Sequence, residues 1–329
     1  MAHGLQQGSW LTPKSGAQDF AARLQQETRR FDIFCYTYTN MLGILFAIGA
    51  LVFWTVGDFT IQKTTKVIGD WKALFFIGVV GGIGLLPFVI KDLPTIFHNS
   101  ANLWLLLIVS LVTLVGALFL FEGLKRGKIS IIEPVFGLEL PLTIFVVILF
   151  GGEHLDLLTY CLIALVFIGL LLAVTKSAEH LHFHKTIFEK GVLFAAIGSV
   201  GMGFMNYLTG IGSQTISPLA TIWFIHTFLA IACFIYFLIK GNAHTILSDI
   251  KKYPGTIFIE SVFDNLAWIC YAVSMALIPI SIATTISESY IALVVLLGVL
   301  VNKEKIQKHQ IFGIILALGT VILLTVLVE

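Results

Sequence analysis

Ten stretches of roughly twenty mainly apolar residues follow one another along the chain, approximately 42–62, 71–90, 102–123, 130–150, 156–175, 190–210, 218–239, 256–277, 281–301 and 309–328. A helix needs about 20 apolar residues to cross a hydrocarbon core of about 30 Å. In lipid the backbone must satisfy its own hydrogen bonds, which leaves helices and closed barrels. Barrel strands alternate every second residue, and these runs do not. The joints carry the charges and breakers: Lys63 to Lys72, Lys91 to Pro94, Lys125 to Lys128, and Lys240 to Pro254. Charged side chains make up 12% of the 329 residues and the net charge is +1, against about 25% charged in a soluble domain. Such a chain cannot clothe a water-facing surface, and it offers nucleic acid no basic footprint. The expected fold is an all-α integral membrane protein of ten transmembrane helices, with the lipid bilayer as its solvent.

Residues 1–40 form a polar N-terminal tail. It has no apolar core of a signal peptide. Phe20, Leu24 and Phe31 fall roughly on one helical face of 17–34, which reads either as a surface helix or as a loosely ordered tail. Cys35, Cys161, Cys233 and Cys270 are scattered in or beside apolar runs, with neither metal-ligand nor disulfide spacing. His180, His182 and His184 lie in the connector 176–189 without acidic or cysteine partners, so no metal and no cofactor is expected. The glycines of 78–84 and 198–203 sit inside apolar runs with no preceding strand, and read as close helix packing.

An internal repeat is visible. Gly43-Ile-Leu-Phe-Ala47 recurs as Gly191-Val-Leu-Phe-Ala195, an offset of 148 that also sets Asp58 on Asn206. Ser130–Ile131 recurs as Ser281–Ile282, and Glu153 as Glu304, at an offset of 151. The units 41–175 and 190–329 would hold five helices each. An odd number makes the second unit enter the membrane upside down. Inverted five-helix repeats typify secondary transporters, whose solute site lies at the midplane between the halves.

The segment Trp54-Thr-Val-Gly57-Asp-Phe59-Thr-Ile-Gln-Lys63 resembles the first-helix signature of EamA-type members of the drug/metabolite transporter superfamily. Glu133–Pro134–Val–Phe136 is similar to that family's Pro-centred motif, and Gly151–Gly152–Glu153, echoed by Asn302–Lys303–Glu304, to its Gly–Glu joint. Two features depart from the pattern: the second helix lacks the arginine often found there, and Thr285 stands where Pro134 has its counterpart. The resemblance implies a solute transporter working by alternating access, and leaves its substrate open.

Basic residues divide unevenly: fifteen Lys and Arg at the joints after helices 1, 3, 5, 7 and 9, and five on the opposite side. Cytoplasmic loops attract basic residues, so the richer side is expected in the cytoplasm and both termini outside. The basic tail opposes that orientation. Short tails and lean loops suit a bacterial inner membrane.

Six acids lie within the apolar runs: Asp58, Glu133, Glu139, Glu260, Asp264 and Glu288. No lysine or arginine sits comparably deep. An acid inside a span is costly and usually faces a cavity or a partner, so these must be protonated, solvated in a cavity, or matched by something that comes and goes. Helical spacing groups them. Glu260, Asp264 and Trp268 share one face of the eighth helix, and Trp54, Asp58 and Gln62 one face of the first. Glu133 shares a face with Gly137, while Glu139 points about 120° away; Thr284 and Glu288 take the places in the ninth helix that match Glu133 and Gly137. Trp54, Tyr207, Trp223, Trp268 and Tyr290 would line the hollow, where cation–π contact is worth about 0.5–2 kcal/mol per ring. Asn206 joins them by its alignment with Asp58.

Structural readings compete at every position. Asp58 and Asn206 could bridge helices, Glu133 and Glu288 could serve helix starts, and Glu260 could reach the interface. The aromatic residues could be packing, and His226 a hydrogen-bonded core residue. The function these residues suggest is proton-coupled transport of a small organic solute, cationic or zwitterionic (amino acid, amine or quaternary ammonium), by a monomer or homodimer. No nucleophile–base pair points to an enzyme. The alternatives are a carrier of a neutral or anionic metabolite with structural acids, or a membrane enzyme or receptor.

Overall fold

The computed structural model describes residues 15–126, 135–174, 191–302 and 307–328. They form thirteen helices: α1 (Ser15–Ile68), α2 (Asp70–Val89), α3 (Leu93–His98), α4 (Ser100–Arg126), α5 (Glu139–Val146, continued by a π turn Val147–Gly151), α6 (Leu157–Val174), α7 (Val192–Thr215), α8 (Pro218–Lys240), α9 (Thr245–Lys252), α10 (Pro254–Leu277), α11 (Ile280–Glu288), α12 (Tyr290–Asn302) and α13 (Lys308–Val328). Seven are long and apolar enough to cross a membrane: Thr37–Ile68 within α1, α2, Ser100–Gly123 within α4, α7, α8, α10 and Lys308–Leu327 within α13. Shorter apolar helices, Glu139–Gly151, Leu157–Ala173 and Ile280–Val294, occupy the other expected runs. The stretch 17–34 continues α1 without interruption.

Local chemistry explains where helices start and stop. Ser217 accepts from the Ala220 amide at 3.4 Å and Pro218 follows at the first helical position, while Gly241 ends α8 at φ 69°, where a side chain would be strained. Hydroxyls inside apolar runs return to their own backbone: Thr55, Thr60 and Thr64 donate to the carbonyls four residues earlier at 2.6–3.1 Å. This hides polar groups from lipid.

Two apolar helical stretches are interrupted at corresponding places. A turn at residues 137–138 precedes α5, and Ser289 separates α11 from α12. Each break tightens the backbone by a bond to the third residue back, Leu138 N to Val135 O at 3.1 Å and Ser289 N to Ile286 O at 3.3 Å. Pro141 has no amide to offer the Gly137 carbonyl at the first break, while no proline follows Ser289 at the second.

The halves interlock through a reciprocal set of contacts. α1 packs chiefly on α10, and its counterpart α7 on α4; α5 also rests on α7, as α11 and α12 rest on α1. α2 packs on its own counterpart α8, and α6 on α13. These counterpart pairs run antiparallel. Gly78 lies against Ala230 while Gly82 lies against Thr227, and Gly169 lies against Ala317 while Gly313 lies against Ala173. A Cβ on Gly78 would stand 2.7 Å from the His226 carbonyl oxygen, so the α2–α8 crossing requires glycine there.

Candidate functional site

A cavity of about 120 Å³ opens between the halves, where α1, α2, α4, α5, α7, α8, α10 and the α11–α12 break converge. That volume is comparable with a cavity holding one benzene-sized guest. Asp58, Glu139, Asp264 and Glu288 line it, together with Trp54, Trp268, Tyr290 and His226. Glu139 begins α5 just after the first break, and Glu288 ends α11 just before the second. Asp58 acts electrostatically on Glu139, Asp264 and Glu288, and Glu139 acts on Glu288. Four carboxyls therefore share one small space. No lysine or arginine lines it among the described residues.

The two break-site acids have different partners. Asn206 Nδ2 donates to Glu139 Oε1 at 2.9 Å and to Thr143 Oγ1 at 3.2 Å. In the other half Asp58, aligned with Asn206, puts a carboxyl where Asn206 offers an amide, and Glu139 and Asp58 both act electrostatically on Glu288. Two carboxyls cannot hydrogen-bond unless one holds a proton, and otherwise they need a cation between them.

An aromatic wall stands beside the acids. Trp54 meets Trp268 edge-on at 5.0 Å between centroids, Tyr271 at 5.0 Å and Tyr290 at 5.8 Å. The Tyr271 hydroxyl pairs with Thr284 Oγ1 at 2.6 Å, which braces α10 against α11. His226 is tied by Asn265: Asn265 Nδ2 donates to Ile77 O at 3.0 Å and Ser261 O at 2.7 Å, which leaves Oδ1 to accept from His226 Nδ1 at 2.7 Å. A neutral His226 thus carries its free lone pair on Nε2.

The cavity reaches toward the end of the bundle that carries the lysines. Leu74 near the start of α2, Leu120 and Phe121 late in α4, and Ile61 late in α1 line it. At that end Trp71 stacks on Tyr236 at 3.8 Å, and Lys72 pairs with Asp249. The opposite end is packed shut. Glu153 Oε1 accepts from the Ile280 amide at 2.6 Å and Oε2 from the Ser281 amide at 3.3 Å, which caps α11 with a residue from the other half. Gln214 Nε2 donates to Met275 O at 2.8 Å alongside.

Several candidates lie elsewhere. Asn206 is fully buried behind Glu139 and does not line the cavity. Trp223 faces α2, where its Nε1 donates to Gly82 O at 3.0 Å. Tyr207 packs on the π turn beside Gly151 and Phe150. Glu260 is fully buried against α1 outside the cavity. Glu133 and the His180–His184 stretch lie outside the described residues. His226, read from the sequence as a core residue, does line the cavity; its signal was Asn265, which flanks the acid stripe.

Residues 41–175 and 189–326 both match the EamA-like transporter family. The chain belongs to the EamA-like transporter family. It is accordingly a multi-pass membrane protein of a transporter family, built on two matched segments. A relative in Methanocaldococcus jannaschii, an uncharacterized protein, is 30% identical over 135 residues, which is 40% of this chain and 93% of that protein. That relative is thus about as long as one matched segment. A protein of known crystal structure superposes with a TM-score of 0.70 at 14% identity, covering 87% of this EamA-like chain and 97% of its own. This second likeness establishes the fold.

Proposed function

We propose that the protein exchanges a small organic cation or zwitterion (an amine, amino acid or quaternary ammonium) for protons by alternating access. Ten membrane-spanning helices in two inverted five-helix units, 41–175 and 190–329, would rock about the central cavity. The antiparallel crossing of counterpart helices supports the inversion, and the interrupted spans at 137–138 and 289 match the discontinuous helices that form transporter sites. The carrying observation is that Asp58 and Glu288 stand beside Trp54 and Tyr290, with no lysine or arginine lining the same space among the described residues. Protons and the cationic group of the solute would compete for these carboxyls, while the rings add about 0.5–2 kcal/mol each through cation–π contact. With the lysine-bearing end in the cytoplasm of a bacterial inner membrane and both termini outside, this conformation faces inward.

The test is flux in proteoliposomes. Tetramethylammonium is a suitable probe because it is impermeant and carries no titratable proton. Acid inside the vesicles should accelerate its uptake at least tenfold, and Asp58→Asn and Asp264→Asn should abolish the acceleration. Flux that ignores the pH gradient, or survives both substitutions, would overturn the reading. A neutral or anionic solute, with the acids structural, would then be favoured.

A further inference from the structure

Glu260 is a fully buried acid that the central cavity does not use. It is 0% exposed in a span, one helical turn before Asp264 and one after Thr256. Its two carboxylate oxygens receive no hydrogen bond among the described residues, nor does the neighbouring Ser261 hydroxyl. The Thr64 hydroxyl of α1 faces both Glu260 and Thr60 O, the latter at 3.1 Å. It can donate to the Glu260 carboxylate or accept from the protonated acid, as a relay partner must. Leaving an acid so placed is costly in the absence of a role.

A second cavity gives it one. At the lysine-bearing end, Lys63, Thr64, Lys66, Tyr253 and Thr256 surround a space of about 420 Å³, wide enough to admit water. Thr64 and Thr256 thus border both this interfacial space and Glu260. On the other side Asp264 lines the central cavity and acts on Glu260. The rise of 1.5 Å per residue sets Thr256, Glu260 and Asp264 at successive steps of about 6 Å along one face. Asp264 is the charged group that acts on Glu260; from α1 the facing side chain is Thr64, with Lys63 and Lys66 beyond it around the interfacial space. Among the described residues no charged side chain of α2, α7, α8, α9 or α11 acts on it.

We propose that Glu260 is a proton relay joining the interfacial cavity between α1 and α10 to the carboxyls of the central cavity. This deepens the proton-exchange reading and rests on it. A proton from water in the interfacial space binds a Glu260 oxygen, whose O–H donates to Thr64 Oγ1. The O–H bond then breaks as the proton passes to the Asp264 carboxylate, which regenerates the Glu260 carboxylate, and Asp264 hands it on to Asp58. Solute never needs to reach Glu260. The relay therefore supplies protons from the lysine-bearing side while the solute occupies its own site.

The test separates exchange from drive in proteoliposomes, with labelled tetramethylammonium as the probe. Exchange of the probe at equal pH needs the central cavity alone, whereas uptake driven by a pH gradient needs the relay. E260Q should keep exchange within about twofold of the unaltered protein and lose at least tenfold in gradient-driven uptake. T64V, which leaves every carboxyl in place, should slow driven uptake at least threefold with exchange kept. Driven uptake unchanged in E260Q and T64V would overturn the relay and leave the proton-exchange reading standing. Loss of exchange in E260Q, together with unaltered driven uptake in T64V, would give Glu260 a structural role and also overturn it. An unaltered protein that exchanges the probe without responding to the gradient would overturn the exchange reading, and the relay with it.

Discussion

Asn206 gives its amide hydrogen to Glu139 at 2.9 Å, while the same place in the other half holds Asp58 near Glu288. Glu139 has an amide donor, whereas no hydrogen bond joins Asp58 to Glu288 among the described residues. The proposed exchange accordingly puts the exchangeable charge on the Asp58–Glu288 side and leaves Asn206 as the donor that holds Glu139.

Asp58→Asn should therefore copy the satisfied arrangement. An amide can donate to Glu288 as Asn206 does to Glu139, so the protein should fold with an unchanged or slightly higher thermal midpoint. Proton-driven uptake should fall at least tenfold in the same preparation. A large drop in the midpoint would point to a structural Asp58.

Asn206→Ala should do the reverse. It strips Glu139 and Thr143 of a donor in a fully buried setting, and a lost buried partner costs about 1–3 kcal/mol. Thermal unfolding in detergent should fall by several degrees. An unshifted midpoint would contradict the bracing role.

Gly81 faces the His226–Asn265 pair so closely that an added Cβ would overlap both Asn265 Oδ1 and His226 Nδ1. Gly81→Ala should cost about 1–3 kcal/mol by overpacking and should break the bond that holds His226. Thermal melting and the imidazole resonance of His226 report these two effects separately. A melt and a resonance both unchanged would show that the crossing has room to spare.

Glu153 ties the joint after α5 to the start of α11, at the closed end of the cavity. Removing its carboxylate in Glu153→Ala leaves the first amides of α11 without a partner, at about 1–2 kcal/mol for a lost cap. Hydrogen exchange at the Ile280 and Ser281 amides should speed up as that end loosens. Unchanged protection there would remove Glu153 from the closure.

Much of the site was legible because its residues recur at helical spacing. Trp54 with Asp58, and Asp264 with Trp268, each fall on one face, and regular helices carry that face intact into the cavity. The breaks were not legible. Ser289 sits in an apolar run without proline, while Pro141 follows Gly137 by four residues and has no amide to give its carbonyl; at both places the turn forms through a backbone bond to the third residue back. Sequence spacing accordingly matched Glu288 with the place of Gly137, on the face of Glu133, whereas Glu139 and Glu288 are the acids that meet at the two breaks. Helical spacing put Glu139, one of the six candidate acids, about 120° from Glu133, and it lines the cavity at the start of α5. Trp223 and Tyr207 escaped for a different reason: an aromatic ring in an apolar helix packs against whichever neighbour approaches, and theirs are Gly82 and the π turn.

The most direct test of the central claim is proton release on binding. Tetramethylammonium is added to the purified protein in weakly buffered detergent, and the pH change is followed with a dye. Competition at Asp58 and Glu288 requires close to one proton freed per cation bound near neutral pH, and none from Asp58→Asn. Binding that frees no proton, or an Asp58→Asn protein that binds as tightly and frees as many, would contradict it.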